Sequence, residues 1–172
     1  GPMLAARMFV QDLAARNLLD RTIEVFVQLY GSLALTGLGH CTDRAVLLGL
    51  EGNDPTGFDP AIMEPALARI RGSRRLRLLG RHEIAFDEPM NLLFLRDQML
   101  PGHSNGMRFT ARDAAGATLH ADEMYSIGGG AVLRAGDELG GPPADAPALP
   151  LPFANGDELL VRCREAGLTI DG

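Results

Sequence analysis

Apolar positions recur along the chain with two periods. Leu4, Met8, Phe9 and Leu13 fall at i, i+4, i+5 and i+9, the spacing of a helix that starts with the first residues. Residues 22–30 then alternate, with Ile23, Val25, Val27 and Leu29 on one face and Glu24, Phe26 and Gln28 on the other, which predicts a strand ended by Gly31. The stretch 32–36 is apolar and short, and Gly37 and Gly39 break it. A helix with an acidic first turn is predicted over 43–50, a loop over 54–59 around Pro55 and Gly57, and a further helix over 60–71. Three short apolar runs, 76–79, 83–86 and 92–95, read as strands or extended pieces.

The clearest pattern lies further on. Met107, Phe109 and Ala111 alternate with Arg108, Thr110 and Arg112, residues 113–116 turn, and 118–127 return as a second strand, so a hairpin is predicted. Gly128, Gly129 and Gly130 interrupt it and 131–134 resume an extended pattern. Proline and alanine crowd 145–152, and 155–166 read as a capped helix carrying Leu159, Leu160 and Cys163. Strands gathered in hairpins between helices, without strict alternation, point to an α+β fold: a single domain, residues 1–172, with a mainly antiparallel sheet covered by helices. The abrupt helical start suggests a domain cut from something longer. The stretch at about 145–155 reads as a tether leading, through the terminal helix at 156–166, toward an absent partner.

Composition narrows the function classes. With 172 residues, 46% hydrophobic, the chain can bury a real core. Sixteen basic against 22 acidic residues leave a net charge of −6 with no basic stripe, which excludes nucleic acid as the main partner. No apolar run reaches the roughly 18 to 20 residues of a membrane span, and no signal-peptide pattern opens the chain. The two cysteines, Cys41 and Cys163, lie far apart, which argues against a disulfide framework and a self-contained metal centre and suits a reducing cytoplasm.

Three polar constellations stand out. In Thr36-Gly37-Leu38-Gly39-His40-Cys41-Thr42-Asp43, the glycines allow a tight backbone, and Thr42 or Asp43 can cap the following helix. Backbone amides at that helix start would favour an anion such as a carboxylate, and the same field favours a neutral imidazole, so His40 is a candidate base. The alternative is an ordinary glycine-rich connection with a locally packed histidine. In the second constellation, 100–107, His103 and Asn105 at i, i+2 can point the same way and offer groups for an amino acid, while Asn105-Gly106 alone is a good turn. The third is Tyr125-Ser126-Ile127-Gly128-Gly129-Gly130, either an amide nest or a bend in a strand. His82 and His120 read as surface or strand residues.

In order, Gly1-Pro2-Met3, Tyr30-Gly31-Ser32-Leu33-Ala34-Leu35-Thr36-Gly37, Gly39-His40, Thr42-Asp43, the 103–107 loop and the 125–130 segment resemble the β domain of bacterial iron–sulfur L-serine dehydratases. The resemblance runs over essentially the whole chain. It implies a share in an L-serine ammonia-lyase that converts L-serine to pyruvate and ammonia, with a [4Fe–4S] cluster held by cysteines of a separate α domain and none bound by this chain. It implies that His40 lines a joint active site as a candidate base for the substrate α-proton, with Thr42 and Asp43 holding the loop or the substrate. The family usually has lysine where this chain has Leu38.

The resemblance further implies that His103, Asn105 and Gly106 form a regulatory L-serine site. A homodimer, the α domain and L-serine are the expected partners, and the isolated chain is expected to be inactive. The domain is also similar to the allosteric substrate-binding domain of long-form phosphoglycerate dehydrogenases. That leaves, as the alternative, a regulatory L-serine or anion-binding module of another enzyme of serine metabolism. A third reading is a stand-alone metal enzyme using His40, Asp43 and His103.

Overall fold

The computed structural model describes residues 1–137 and 156–167. Packing divides the chain into two units, Gly1–Asp137 and Glu138–Gly172. In the second, a helix spans Gly156–Ala166, with Leu159 and Cys163 half-buried and Leu160 and Val161 exposed. The predicted tether, and Asn155 as the first residue of that helix, lie outside the described residues.

The first unit is α+β, as the sequence predicts. Helix α1 spans Pro2–Ala15, with Pro2 at a position where its missing N–H costs nothing, and buries Ala5, Ala6, Phe9, Val10 and Leu13. Strand β1 (Glu24–Tyr30) leads into a short helix α2 (Gly31–Thr36), then helix α3 (Thr42–Leu50) and helix α4 (Met63–Ser73). A small antiparallel pair follows, β2 (Arg75–Leu78) and β3 (His82–Ala85), then a one-turn helix α5 (Glu88–Asn91) and strand β4 (Leu92–Leu95). Strands β5 (Gly106–Arg112), β6 (Thr118–Gly128) and β7 (Ala131–Arg134) complete the unit.

The main sheet runs in the order β4-β1-β5-β6-β7. Three of its pairings are antiparallel, and β1–β4 is parallel, with Val27 opposite Leu92 and Tyr30 opposite Leu95. The sheet is thus mixed, and its one parallel pairing joins strands more than 60 residues apart, beyond the reach of local pattern. One face is covered: Val25, Val27 and Leu29 of β1 and Met107, Phe109 and Ala111 of β5 are fully buried, and Phe9 of α1 stacks on Phe109 with ring centroids 5.3 Å apart. Each such side chain contributes about 1.5–3 kcal/mol of burial. The other face, carrying Phe26, Gln28, Arg108, Thr110 and Arg112, is half-buried.

Two packing details fix the layers. Helix α3 crosses α1 so closely that a Cβ on Gly49 would sit 2.2 Å from the Met3 carbonyl oxygen, so only glycine fits. The predicted face of β1 needs one correction: Ile23, whose N–H still donates to the Arg112 carbonyl at 2.8 Å, is 50% exposed because it precedes the strand, which starts at Glu24. The helix predicted over 60–71 likewise divides into a 3₁₀ turn at Pro60–Ile62, where the Asp59 carboxylate accepts from the Ala61 N–H, and α4 proper.

Candidate functional site

The 37–43 segment connects α2 to α3 as a tight turn held by its backbone. The Thr42 N–H donates to the Gly37 carbonyl at 2.8 Å, and the His40 N–H is shared between the carbonyls of Thr36 and Gly37, each at 3.2 Å. Cys41 takes the left-handed conformation, φ 56°, and is the N-cap of α3 without a side-chain cap. The capping predicted for Thr42 or Asp43 therefore does not occur: they are the first and second residues of the helix, and both are buried.

His40 is exposed, and its Nδ1 lies 2.9 Å from the Thr36 carbonyl oxygen. A carbonyl only accepts, so in the neutral ring Nδ1 carries the hydrogen and Nε2 is left with its lone pair. Asp43 has a different fate. Its carboxylate accepts from Arg71 Nη2 at 2.9 Å, and Arg71 also donates to both oxygens of Glu88, at 2.7 and 2.9 Å. Hydrogen bonding to Glu88, with the charge of Glu88 and Asp43, holds the Arg71 guanidinium still more firmly protonated than usual. Asp43 is thus spent on joining α3 to α4 and α5. Leu38, 59% exposed, lines a cleft of about 590 Å³ with Arg71, Arg74, Glu88, Pro89 and Phe94.

The 103–106 loop is bound on every side. The His103 ring turns back so that Nδ1 accepts from the Asn105 N–H at 3.0 Å, and the Asn105 amide donates to the Ser126 carbonyl at 3.1 Å. The Ser126 N–H returns a bond to the Asn105 carbonyl at 3.0 Å. Gly106 is buried at the start of β5, opposite Tyr125, and Leu100 packs over it: a Cβ there would meet Leu100 Cδ1 at 3.0 Å. Tyr30, Leu100 and Tyr125 form a small second core beneath, and Arg108 lies over the Tyr30 ring while donating to its hydroxyl at 3.0 Å. The two side chains are engaged with different partners, His103 with the Asn105 backbone and Asn105 with β6.

His40, Asp43 and His103 do not converge as a metal-binding trio. The described trio whose ligand atoms lie within 4.8 Å of one another is Asp12, His120 and Asp122. His120 and Asp122 share the helix-covered face of β6, where His120 stacks on Phe9, centroids 5.5 Å apart. Burial pushes the His120 pKa down and that of Asp122 up. Arg134 already supplies a cation to both carboxylates, with Nη1 2.8 Å from Asp122 and Nη2 2.6 Å from Asp12, so the group is a partly charge-compensated joint between α1 and the sheet. The i, i+2 spacing of His120 and Asp122 was the only sequence signal of it, and Arg71 gave none. His82 marks the start of β3, with Nε2 2.7 Å from the Thr22 carbonyl.

The chain is similar to known proteins over its whole length. The chain is 46% identical to an L-serine dehydratase of Streptomyces coelicolor over 99% of its length, and 38% identical to L-serine dehydratase 1 of Escherichia coli over 100% of its length. An L-serine dehydratase of Haemophilus influenzae is 35% identical over 99% of the chain. The chain spans 38%, 37% and 37%, respectively, of the lengths of these relatives. The family model for the serine dehydratase beta chain matches residues 1–137, which are also the first structural unit. The chain belongs to the serine dehydratase beta chain family.

Proposed function

We propose that this chain is the β domain of an L-serine ammonia-lyase, forming one wall of an active site completed by an α domain or subunit, with a separate regulatory L-serine site at His103, Asn105 and Gly106. The observation that carries the reading is His40: an exposed residue whose Nδ1 is fixed on the Thr36 carbonyl, which leaves the Nε2 lone pair to act as a base. Family membership supports the lyase, and the names of the relatives favour it over a regulatory module attached to another enzyme.

In this reading Nε2 of His40 takes the α-proton of L-serine, while the Gly37–Thr42 backbone bonds and the Asp43–Arg71 pair hold the turn against the cleft beside it. The reaction expels water to give an enamine, whose imine tautomer takes a water back and releases ammonia, so that the net change from L-serine to pyruvate is the loss of ammonia. A [4Fe–4S] cluster, which would supply Lewis acidity toward the departing hydroxyl, does not fit this chain: a cubane takes about four cysteine thiolates, and the two here lie in different units, Cys41 exposed and Cys163 half-buried on the Gly156–Ala166 helix. Its ligands therefore belong to the α domain in this proposal. Among the described residues no helix is long and apolar enough to cross a membrane, which is compatible with the proposed cytoplasmic setting. A homodimer is part of the same proposal.

Calorimetric titration of the 172-residue chain with L-serine, run beside a pyruvate assay, tests this division of labour. Binding heat without pyruvate is expected. Absence of heat would remove the regulatory site, and pyruvate formation would show a complete active site in this chain alone.

A further inference from the structure

The two candidate sites lie at opposite ends of one short helix. At the N-terminal end of α2, the Gly31 N–H donates to the Gln98 carbonyl and the Ser32 N–H to the Ser104 carbonyl, each at 2.9 Å. At the C-terminal end, the Thr36 carbonyl accepts from the His40 N–H at 3.2 Å and fixes the His40 ring through Nδ1 at 2.9 Å. The Thr36 hydroxyl donates to the Ser32 carbonyl at 2.8 Å, so the residue that meets the loop and the residue that holds the histidine are also joined within the helix.

The contact with the loop is backbone against backbone. Gly31 has φ 51°, and a Cβ there would lie 2.3 Å from the Ser104 carbonyl oxygen. Ser104 stands between His103 and Asn105, whose ring and amide are engaged with the Asn105 N–H and the Ser126 carbonyl. A ligand that takes up those two side chains must replace or re-aim these bonds, and the Ser104 carbonyl lies between them. Of the six residues of α2 only Gly31 and Ala34 are buried, with Leu33 half-buried against the core. With three such side chains holding it, a six-residue helix shifts as one piece more readily than it deforms.

We propose that α2 is the mechanical link through which L-serine at the 103–106 loop sets the orientation of the His40 ring. The inference rests on reading that loop as the L-serine site. Coupling between two sites requires one element whose arrangement both of them bias, and α2 is hydrogen-bonded to each.

Ring-nitrogen NMR of the 172-residue chain during L-serine titration tests it, since the chain has four histidines and two of them, His82 and His120, serve as internal controls. In the wild type His103 and His40 should both shift, with His82 and His120 unmoved. In Asn105→Ala neither should shift. In Gly31→Ala, where the added methyl parts the helix from the loop, His103 should still respond and His40 should not. A wild-type response at His103 with His40 unmoved would overturn the link and leave the L-serine site standing. A His40 response surviving in Asn105→Ala would mean that serine reaches His40 directly, and one surviving in a folded Gly31→Ala would rule out α2 as the route. No response at any histidine would remove the L-serine site and the link together. Should Gly31→Ala fail to fold, the wild type and Asn105→Ala decide.

Discussion

The turn at 37–43 and the loop at 103–106 solve opposite problems. In the turn the backbone carries the shape, through bonds among Thr36, Gly37, His40 and Thr42, and the side chains of His40 and Cys41 are left exposed. In the loop the side chains carry the shape, with His103 and Asn105 both engaged in holding it to itself and to β6. The first arrangement suits chemistry, because a base whose partner fixes its tautomer and whose other nitrogen is free can act without disturbing the fold. The second suits sensing, because a ligand can bind only by changing what the side chains already hold.

The same contrast separates His40 from its neighbour Asp43, three residues on, which is consumed by the fold. Arg71→Ala would leave the Asp43 carboxylate, 11% exposed, without its cation, and should cost about 2–3 kcal/mol, read as a lower midpoint in denaturant. A midpoint unchanged by that substitution would return Asp43 to the list of groups free for chemistry. Asn105→Ala removes one hydrogen bond to Ser126 and should cost about 1 kcal/mol, together with the response to L-serine in saturation curves of the full-length enzyme. Identical curves for variant and wild type would make the loop a structural turn and nothing more.

A smaller effect is expected at the joint of α1 and β6. Burial lowers the His120 pKa from its ordinary value of 6.5, with Arg16 and Arg134 acting in the same direction and Asp12 and Asp122 against them. The unfolded chain then binds the proton more readily than the folded one, so His120 contributes stability above pH 6.5 that is lost as the pH falls below it. Asp122, whose pKa burial raises from 3.8, has the opposite sign: its contribution is full below pH 3.8 and declines as the pH rises through its folded value. The thermal midpoint should therefore fall between pH 7 and 5.5 in the wild type and fall less in His120→Phe, which keeps the stacking on Phe9. Equal slopes would place His120 outside the acid response.

How much of this was legible depended on distance along the chain. The β5–β6 hairpin was plain, because alternation at Met107, Phe109 and Ala111 is a local signal and the burial follows it. The parallel pairing of β4 with β1 was not, since Leu92-Leu93-Phe94-Leu95 is a four-residue apolar run whose partner is more than 60 residues away. At the site, the glycines and His40 pointed to a tight turn, and a tight turn is there. The cap lies one or two residues before the predicted Thr42 or Asp43, because Cys41 adopts a left-handed backbone that residue type does not announce. The salt bridge of Asp43 depends on Arg71, 28 positions on, and the bond of Asn105 on Ser126, 21 positions on, so neither could be read from spacing.

The proposed chemistry rests on the His40 ring. The most direct measurement is the rate of L-serine turnover by the full-length enzyme carrying His40→Ala, taken with its thermal midpoint. Loss of a positioned base should lower kcat by roughly 10²–10⁴-fold while leaving the midpoint close to that of the wild type, because the turn is held by its backbone. Turnover near the wild-type rate would contradict the assignment.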